Sequence, residues 1–429
     1  MKYSKNFDTF NFTIFLLIPF FLTLSVFITD VFFSILFFLV LYKLIKKNYH
    51  FDTNIFFYYL LFFHLVTFIS ASTNVYGDLR LSGMGYIRFL LFYIVIVTIL
   101  NSINKETYKN KIIYIFVLLL FLLLDSLYQF FSGKDFFGNK LFNQRVSGYF
   151  GDDLVLGSFF ARILPILIFF TILGGKNFSR KENVFYMFFY TLSFIIIYLS
   201  GERTAVFMIF FFFFFVIIFL QDLRKLFLKS FLFSVLIIFI ISLFNLGKYD
   251  PNNRIIVKTS KQIVLDNSNK TALKNENLKK KFYIYSKHHE GHLLLAYELF
   301  KKNVIFGTGV RGFKSYCRDV KYISKVGQCT HHPHNILFQI LSELGLIGFT
   351  FYIIGTFFII FCFFKIMTFK RKSEKAYQLF AVSLIGITMN FIPFLPSGNF
   401  FNSWLSYIFY MNFGIFSYSF YEFKKVNNK

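Results

Sequence analysis

The feature that most limits how this chain can fold is a series of apolar runs, each close to 20 residues long. A helix of about 20 apolar residues crosses the roughly 30 Å of hydrocarbon in a bilayer. Hydrophobic residues make up 56% of the chain, including 72 Phe, and only 16% are charged, against about 25% in an ordinary soluble domain. Such hydrophobicity excludes a disordered chain. We therefore predict an all-α membrane protein that crosses the bilayer many times.

The hydropathy pattern divides the chain into twelve predicted spans. The tenth apolar run is longer than one bilayer crossing needs, so we expect a tilted or broken helix there. The predicted spans are residues 12–28, 31–45, 54–71, 86–100, 112–131, 153–173, 184–199, 204–220, 230–246, 335–364, 376–394 and 402–420. They divide the chain into three parts, which are nine spans in residues 1–246, a large external loop at 247–333, and three spans in 334–429.

The positions of Lys and Arg predict the orientation of these spans. If the N-terminus lies in the cytoplasm, the cytoplasmic segments together hold 22 Lys and Arg, whereas the short external loops hold five. Short cytoplasmic loops of membrane proteins carry an excess of Lys and Arg. The pattern therefore predicts that both termini are cytoplasmic. It also accounts for much of the net charge of +25, so we predict no nucleic-acid partner.

The external loop at residues 247–333 is too long to be a simple connection. It carries 17 Lys and Arg against 6 Asp and Glu, and with His334 at its edge it holds six of the eight His in the chain. Long loops cross the membrane whatever their charge, so this basicity is compatible with an external position. The basicity predicts an anionic partner, and attraction to anionic lipid headgroups is the alternative.

Two local features are predicted inside this loop. Residues 290–303 have the spacing of a short amphipathic helix that lies on the membrane surface. Its apolar face is predicted to consist of Leu293, Ala296, Tyr297 and Phe300. Cys317 and Cys329 are 12 residues apart in an oxidising compartment, which favours a disulfide between them.

The first group of residues that suits chemistry is centred on His334, at the start of the tenth span. A helix that begins near Asn335 places Asn335, Gln339 and Glu343 on one stripe, at i, i+4 and i+8. An acid inside a span is costly and usually faces a polar interior. With an ordinary pKa of about 6.5, a histidine at this boundary suits a general base at neutral pH. The alternative is a histidine that only caps the helix.

The second group consists of arginines at the external ends of spans. Arg203 follows Glu202 in the tight turn between spans seven and eight, and its fork of donors suits phosphate oxygens. A contact with Glu202 or with a lipid headgroup is the alternative. Further candidates are Arg145 before span six, Arg254 early in the large loop, and Arg311 in the glycine-rich turn at 307–313. Glycines in such a turn indicate that backbone passes close to another segment. Arg162, inside span six, must face protein or a cavity.

Metal and nucleotide motifs are not fulfilled by this sequence. The segment 289–292, His-Glu-Gly-His, lacks the spacing of a zinc-protease helix, which needs His at i and i+4 with Glu directly after the first. His288 and His292 do have that spacing and, with His331 or His332, are a less favoured alternative as metal ligands. No glycine-rich nucleotide-binding loop is present. We therefore predict neither a metal nor a cofactor.

Together these motifs resemble those of the bacterial O-antigen ligase and polymerase family of integral membrane glycosyltransferases. The similarity is strongest at residues 307–348, where a Gly-x-Gly segment precedes His-Pro-His-Asn and then a Gln-x-x-x-Glu-x-Gly run. Residues 200–205 resemble a second family signature, and residues 145–150 resemble a third. Residues 397–404, which end in Trp404, resemble a segment found in one branch of the family.

The resemblance implies about twelve spans and one large periplasmic loop in the bacterial inner membrane. It implies that a glycan is transferred from an undecaprenyl-diphosphate carrier to a sugar hydroxyl. That hydroxyl belongs to lipid A–core for a ligase and to another carrier-linked repeat for a polymerase. His334 matches the family's essential histidine, Arg203 its arginine at the membrane edge, and Arg254 its loop arginine. We favour a ligase, with a polymerase as the alternative and a polysaccharide or solute transporter as a less favoured one.

Overall fold

The computed structural model describes residues 2–72, 77–102, 109–175, 179–257, 259–260, 287–317, 330–369, 371, 373–393 and 395–427. In this part of the chain the secondary structure is helical apart from two isolated bridges within residues 134–145. The α-helices are α1 Lys2–Leu24, α2 Val26–Ile45, α3 Ile55–Ser72, α4 Gly77–Met84, α5 Arg88–Ser102, α6 Lys109–Ser132, α7 Leu156–Gly174, α8 Arg180–Leu199, α9 Arg203–Phe219, α10 Arg224–Leu243, α11 Lys287–Lys302, α12 Gly312–Tyr316, α13 Ile336–Thr368, α14 Lys375–Phe391 and α15 Ser403–Asn427.

Each of the twelve predicted spans corresponds to one of these helices. Nine helices within the described ranges are long and apolar enough to cross a membrane, and α9 is a shorter apolar helix. Large apolar side chains such as Phe27, Phe38 and Phe214 are exposed on the outer helices, as is expected where helices face lipid hydrocarbon. The prediction of a helical membrane protein is confirmed, and the number of twelve crossings stays a prediction.

Some predicted helix ends are wrong by several residues. The first span was expected to reach residue 28, but α1 ends at Leu24 and α2 begins at Val26. The reason is Ser25, which has an extended backbone and whose Oγ accepts a hydrogen bond from the Ile28 N–H at 3.1 Å. A serine in this position caps the following helix. Hydropathy alone does not detect such a break, because both sides of it are apolar.

Helix α7 lies at the centre of the bundle. It contacts α6, α8, α9, α14 and α15, and its side chains from Leu156 to Leu173 are buried except for the half-buried Ser158. A helix that is apolar on every side belongs in a protein interior. Its single charged residue, Arg162, is therefore enclosed by protein, with only 4% of its surface exposed.

The amphipathic helix predicted at residues 290–303 is present as α11, but its predicted apolar face is only partly correct, because Ala296 is buried and Tyr297 is not. Leu295, Ala296 and Leu299 are buried in a cluster that includes Phe313 of α12, whereas Tyr297 is exposed. The helix also packs against α13. Its buried stripe is therefore determined by neighbouring protein helices, and its position on the membrane surface stays a prediction.

Helix α13 is broken, as its length predicts. Gly345 has a φ of 65° and a ψ of −161°, which interrupts the helix. A neighbouring loop lies against the break, and the Leu346 N–H beyond it donates to the Val304 carbonyl at 2.8 Å. A Cβ on Gly307 would lie 2.4 Å from the carbonyl carbon of Glu343. The predicted close approach of backbone at these glycines is thereby confirmed, and it supplies partners for polar groups that the break would otherwise leave in apolar surroundings.

The helix ends farthest from this loop are also tied together. The Lys375 Nζ donates to the carbonyl of Leu173, near the end of α7, at 2.8 Å. Arg371 Nη2 donates to the carbonyl of Val426, near the end of α15, at 3.4 Å. The basic segment between α13 and α14 therefore contacts the ends of α7 and α15, in agreement with the predicted alternation of these helices.

Candidate active site

A cavity of about 660 Å³ lies where the predicted external ends of α7, α9 and α15 meet. Among the residues singled out in the sequence, Arg145, Arg203, Arg254 and His334 line it. They come from four separate segments of the chain. The structure thus brings the candidate general base and three candidate phosphate ligands into one site.

Glu202 connects the arginine side of this cavity to the start of α7. Its carboxylate accepts hydrogen bonds from the Gly157 N–H at 2.7 Å, the Ser158 N–H at 3.2 Å and the Ser158 hydroxyl at 2.7 Å. A negative charge is favourable at a helix N-terminus because of the helix dipole. Glu202 is the one carboxylate among the described lining residues. The cavity therefore has an excess of positive charge.

Arg145 is held in place by backbone oxygens. Its Nε donates to the Ser200 carbonyl at 3.0 Å and its Nη2 to the Leu154 carbonyl at 3.5 Å, and Nη2 lies 3.7 Å from Glu202 Oε1. Burial lowers the pKa of Arg145 from its ordinary value, the charge of Glu202 opposes this, and the charges of Arg254 and Arg203 lower it further. An arginine nevertheless stays charged at neutral pH. Arg145 is therefore a fixed positive group in the wall.

The turn after α8 positions the other two arginines. Gly201 has a φ of 67°, a conformation that favours glycine, and a Cβ there would lie 3.0 Å from Arg254 Cδ. The Gly201 carbonyl accepts a hydrogen bond from Arg254 Nε at 3.1 Å. Arg203 Nη2 in turn donates to the Arg254 carbonyl at 3.4 Å. The Gly-Glu-Arg sequence thus makes a tight turn that seats Arg254 and places Arg203 at the first residue of α9.

His334 lies two residues before α13. Its φ of 56° is in the left-handed region, which is uncommon for a residue other than glycine and recurs at functional sites. Its carbonyl accepts a hydrogen bond from the Ser397 N–H at 2.9 Å. The helix is capped by Asn335, whose Oδ1 accepts from the Phe338 N–H at 3.2 Å. Capping is therefore the role of Asn335, and the side chain of His334 is available to the cavity.

Three further histidines surround the His334 ring. The centroid of the His334 ring is 4.1 Å from that of His332, 5.5 Å from His292 and 5.7 Å from His289. Burial lowers the pKa of His334 to about 3, with smaller contributions from His332, His289 and His292. Burial also lowers the pKa of His332 to about 4, partly opposed by a hydrogen bond with the Ser397 carbonyl. Both rings are therefore neutral at neutral pH.

The polar stripe on α13 lies behind the cavity rather than in its wall. Gln339 Nε2 donates to Glu343 Oε2 at 3.2 Å and to Asn399 Oδ1 at 2.7 Å. Gln339 Oε1 accepts from the Phe400 N–H at 2.9 Å. These bonds attach the segment before α15 to α13. Asn335, Gln339 and Glu343 are absent from the described lining residues, so their part is to hold the backbone around the site.

Arg311 is the one candidate arginine that the structure does not bring to the cavity wall. It lies directly before α12 with a φ of 63°. Burial lowers its pKa, and the nearby charge of Glu343 opposes this. Glu343 Oε1 also accepts from the Phe313 N–H at 3.2 Å, two residues further on. Arg311 is thus placed to support the fold around Glu343.

The cavity wall includes residues that the sequence did not assign to the site. They are Arg162, His289, His332 and Trp404. The signal for Arg162 was its charge within an apolar run, and its Nη1 donates to the Ser158 carbonyl at 3.3 Å. Trp404 is the only tryptophan in the chain. These signals mark unusual residues, but they do not show which distant segment each one faces.

The metal and disulfide alternatives are only partly covered by the described residues. Within them, no group of three or more His, Cys, Asp or Glu is arranged to hold a metal ion. The side chain of His288 and the whole of Cys329 lie outside the described residues. Cys317 is buried and disulfide-bonded. Its pairing with Cys329 stays a prediction.

The fold and the cavity define a helical membrane protein with a cationic site at one end of its helices. The O-antigen ligase family model matches residues 188–353, a range that contains Arg203, Arg254 and His334. Residues 188–353 are thus similar to the O-antigen ligase family, within a chain that has the helices of a membrane protein. No curated protein matches it.

Proposed function

We propose that this protein is a ligase-type glycosyltransferase. It transfers a glycan from an undecaprenyl-diphosphate carrier to a sugar hydroxyl of lipid A–core, at the periplasmic face of the bacterial inner membrane. The observation that carries the proposal is the single cavity lined by Arg145, Arg203, Arg254 and His334. A cationic pocket beside a neutral imidazole suits a dianionic leaving group and an attacking hydroxyl.

The arginine wall binds the diphosphate in this proposal. A guanidinium has five N–H donors. Arg145 donates to the carbonyls of Ser200 and Leu154, and Arg254 donates to that of Gly201. Both arginines therefore keep donors for a ligand. Phosphate oxygens suit these donors, because arginine binds them through paired, charge-assisted hydrogen bonds.

His334 acts as the general base. The oxygen of the acceptor hydroxyl attacks the anomeric carbon of the donor sugar, and the bond between that carbon and the phosphate oxygen breaks. The hydroxyl proton passes to the imidazole of His334, while the electron pair of the broken bond leaves with the carrier diphosphate. The arginines stabilise the negative charge that develops on the leaving phosphate.

Purified protein in lipid nanodiscs tests both roles, with a carrier-linked glycan as donor and lipid A–core as acceptor. We expect His334→Ala to slow transfer about 10²–10⁴-fold, the usual contribution of a general base, without loss of donor binding. We expect Arg203→Ala to weaken donor binding roughly 10- to 100-fold, because a charge-assisted hydrogen bond contributes about 1.5–3 kcal/mol. Arg203→Lys keeps the positive charge but lacks the paired N–H donors of a guanidinium, so it should restore only part of the donor binding. Near-normal transfer by folded His334→Ala protein would contradict the base assignment.

A gel of lipopolysaccharide and carrier-linked glycan from a strain that lacks the gene separates the ligase from its alternatives. Lipid A–core without O-chains, together with long polymer on the carrier, indicates a ligase. A core with a single repeat and no ladder indicates a polymerase, in which His334 activates a hydroxyl of another carrier-linked repeat. An unchanged pattern indicates another acceptor or a transporter.

A further inference from the structure

The wall of the cavity beside His334 differs in chemistry from the arginine wall. The segment at residues 395–405 contributes no charged side chain to the described lining of the cavity. It contributes Leu395, Pro396, Ser397, Gly398, Trp404 and Leu405. This wall is therefore an apolar and aromatic surface with a few small polar groups. A diphosphate is therefore expected to bind the arginine wall and not this one.

The position of this wall relative to His334 is set by hydrogen bonds. The Ser397 N–H donates to the His334 carbonyl at 2.9 Å, and His332 Nε2 lies 3.2 Å from the Ser397 carbonyl oxygen. The Trp404 N–H donates to Asn402 Oδ1 at 3.2 Å, at the start of α15. The segment that carries Trp404 is thus hydrogen-bonded to the segment that carries His334.

The hydroxyl of Ser397 is a second unusual feature of this wall. Its Oγ is buried and has no hydrogen-bond partner in the part of the chain that the structure describes. Leaving a buried hydroxyl unsatisfied costs about 1–3 kcal/mol, so native proteins rarely do so without a reason. Because Ser397 lines the cavity, a rotation of its side chain about χ1 would turn this hydroxyl toward a ligand.

We propose that Trp404 and Ser397 form a saccharide subsite that binds the pyranose ring of the acceptor. This inference rests on the proposed function and adds the place where the acceptor sugar lies. A pyranose has an apolar face of C–H groups that packs on an indole, and a rim of hydroxyls that need hydrogen-bond partners. Because the general base must contact the acceptor hydroxyl, the wall bonded to His334 is the one beside the acceptor.

The competing role for Trp404 is that of an interfacial residue in contact with lipid, which is common at the ends of spans. Since Trp404 is the only tryptophan, fluorescence excited selectively at tryptophan reports on it alone. Brominated lipids quench tryptophans that they touch. In nanodiscs of brominated lipid we expect little quenching, and we expect the emission to change when lipid-free core oligosaccharide is added. Strong quenching by the lipid, or no response to the oligosaccharide, would overturn the proposal.

Steady-state kinetics of transfer provide the second test. We expect Trp404→Ala to raise the KM for acceptor about tenfold, as for the loss of one stacking contact, with the KM for donor unchanged. Trp404→Phe should restore most of the loss. Ser397→Ala should raise the KM for acceptor roughly threefold to tenfold without lowering thermal stability, because no hydrogen bond within the described protein is lost. Tyr421→Leu, an aromatic replacement on the same helix outside the cavity wall, is the matched control.

The two proposals fail in different ways. If the wild-type protein forms a glycosidic bond while Trp404→Ala and Ser397→Ala keep the wild-type KM for acceptor, the subsite is wrong and the proposed function stands. If the wild-type protein forms no glycosidic bond while core oligosaccharide still changes the Trp404 emission, the proposed function is wrong and the subsite stands.

Discussion

As a general base, His334 must be unprotonated when the hydroxyl of the acceptor sugar binds beside it. Burial lowers its pKa to about 3, so the imidazole is neutral well below neutral pH. So low a pKa also makes a weak base. In the proposed reaction the carrier diphosphate enters the same cavity, and its two negative charges favour the protonated ring. We therefore expect donor binding to raise the pKa of His334.

This arrangement predicts an unusual pH dependence of donor use. A histidine with an ordinary pKa of about 6.5 would be roughly nine-tenths protonated at pH 5.5, so that kcat/KM would fall about tenfold. The lowered pKa keeps His334 neutral in the free protein over that range, and we expect kcat/KM for donor to stay nearly constant from about pH 8 to about pH 5.5. Initial rates at low donor concentration measure this directly. A decline with an apparent pKa near 6.5 would show that His334 is not buried in this way, or is not the base.

The site residues show what a single sequence can predict at this scale. Charged residues are rare at the ends of so apolar a set of spans, so Arg203 and His334 could be singled out by position, whereas Arg254, one of 17 Lys and Arg in the large loop, was matched through the family resemblance. Arg311 carried a similar local signal, yet it lies beside Glu343 and outside the described cavity wall. Whether Arg311 reaches the cavity depends on how α11, α12 and α13 pack together. The local sequence around Arg311 does not indicate this packing.

At the scale of elements, the break in α13 is the feature on which the site depends. The first part of the helix carries the Asn335 cap and Gln339, which bonds to the segment before α15. The break at Gly345 holds the loop that leads from α11 to α12, through hydrogen bonds such as that from the Gly309 N–H to the Glu343 carbonyl at 3.0 Å. The backbone that follows His334 is thereby connected to the segment before α15 and to the loop between α11 and α12.

We expect Gly345→Ala and Gly307→Ala to destabilise the protein strongly. Both residues have positive φ, and a Cβ would lie 2.4 Å from the Ile305 carbonyl oxygen at Gly345 and from the Glu343 carbonyl carbon at Gly307. Backbone strain alone costs about 1–3 kcal/mol, and the backbone contacts have no flexible side chain that could move aside. Thermal unfolding in detergent, followed by size-exclusion chromatography, measures the effect.

Gly85→Ala is the matched control for these variants. Gly85 has no positive φ, and a Cβ there would meet nothing within 4 Å. We expect its unfolding temperature to equal that of the wild-type protein. Equal stability of Gly345→Ala and Gly85→Ala proteins would contradict the close backbone approach at the break.

The elements also show where periodicity alone is insufficient. The spacing of apolar residues correctly predicted a helix at α11, but it assigned Tyr297 to the buried face, where Leu295 and Leu299 lie instead. Both assignments satisfy a helical stripe. The choice between them is made by Phe313 and its neighbours, which are close in space and not in the local sequence.

At the scale of the whole molecule, the cavity and the basic segment between α13 and α14 lie at opposite ends of the helices. The cavity lies where the chain turns before α7, α9 and α15, whereas Lys375 and Arg371 contact the opposite ends of α7 and α15. An excess of Lys and Arg marks cytoplasmic segments. The cavity is then expected to face the periplasm, which is the side where a flipped carrier-linked glycan meets lipid A–core in the proposed reaction.

Cysteine labelling tests this orientation with two matched sites. Asn143 and Lys424 are both exposed, and Asn143 lines a small recess together with Arg254, so it reports the side on which the cavity lies. In intact spheroplasts we expect a membrane-impermeant maleimide to label Asn143→Cys protein above the wild-type background. Lys424→Cys protein should react only after the membrane is permeabilised, because the positive-inside pattern places it in the cytoplasm. The reverse result would place the cavity on the cytoplasmic side, where neither periplasmic ligation nor the predicted oxidising environment of Cys317 could apply.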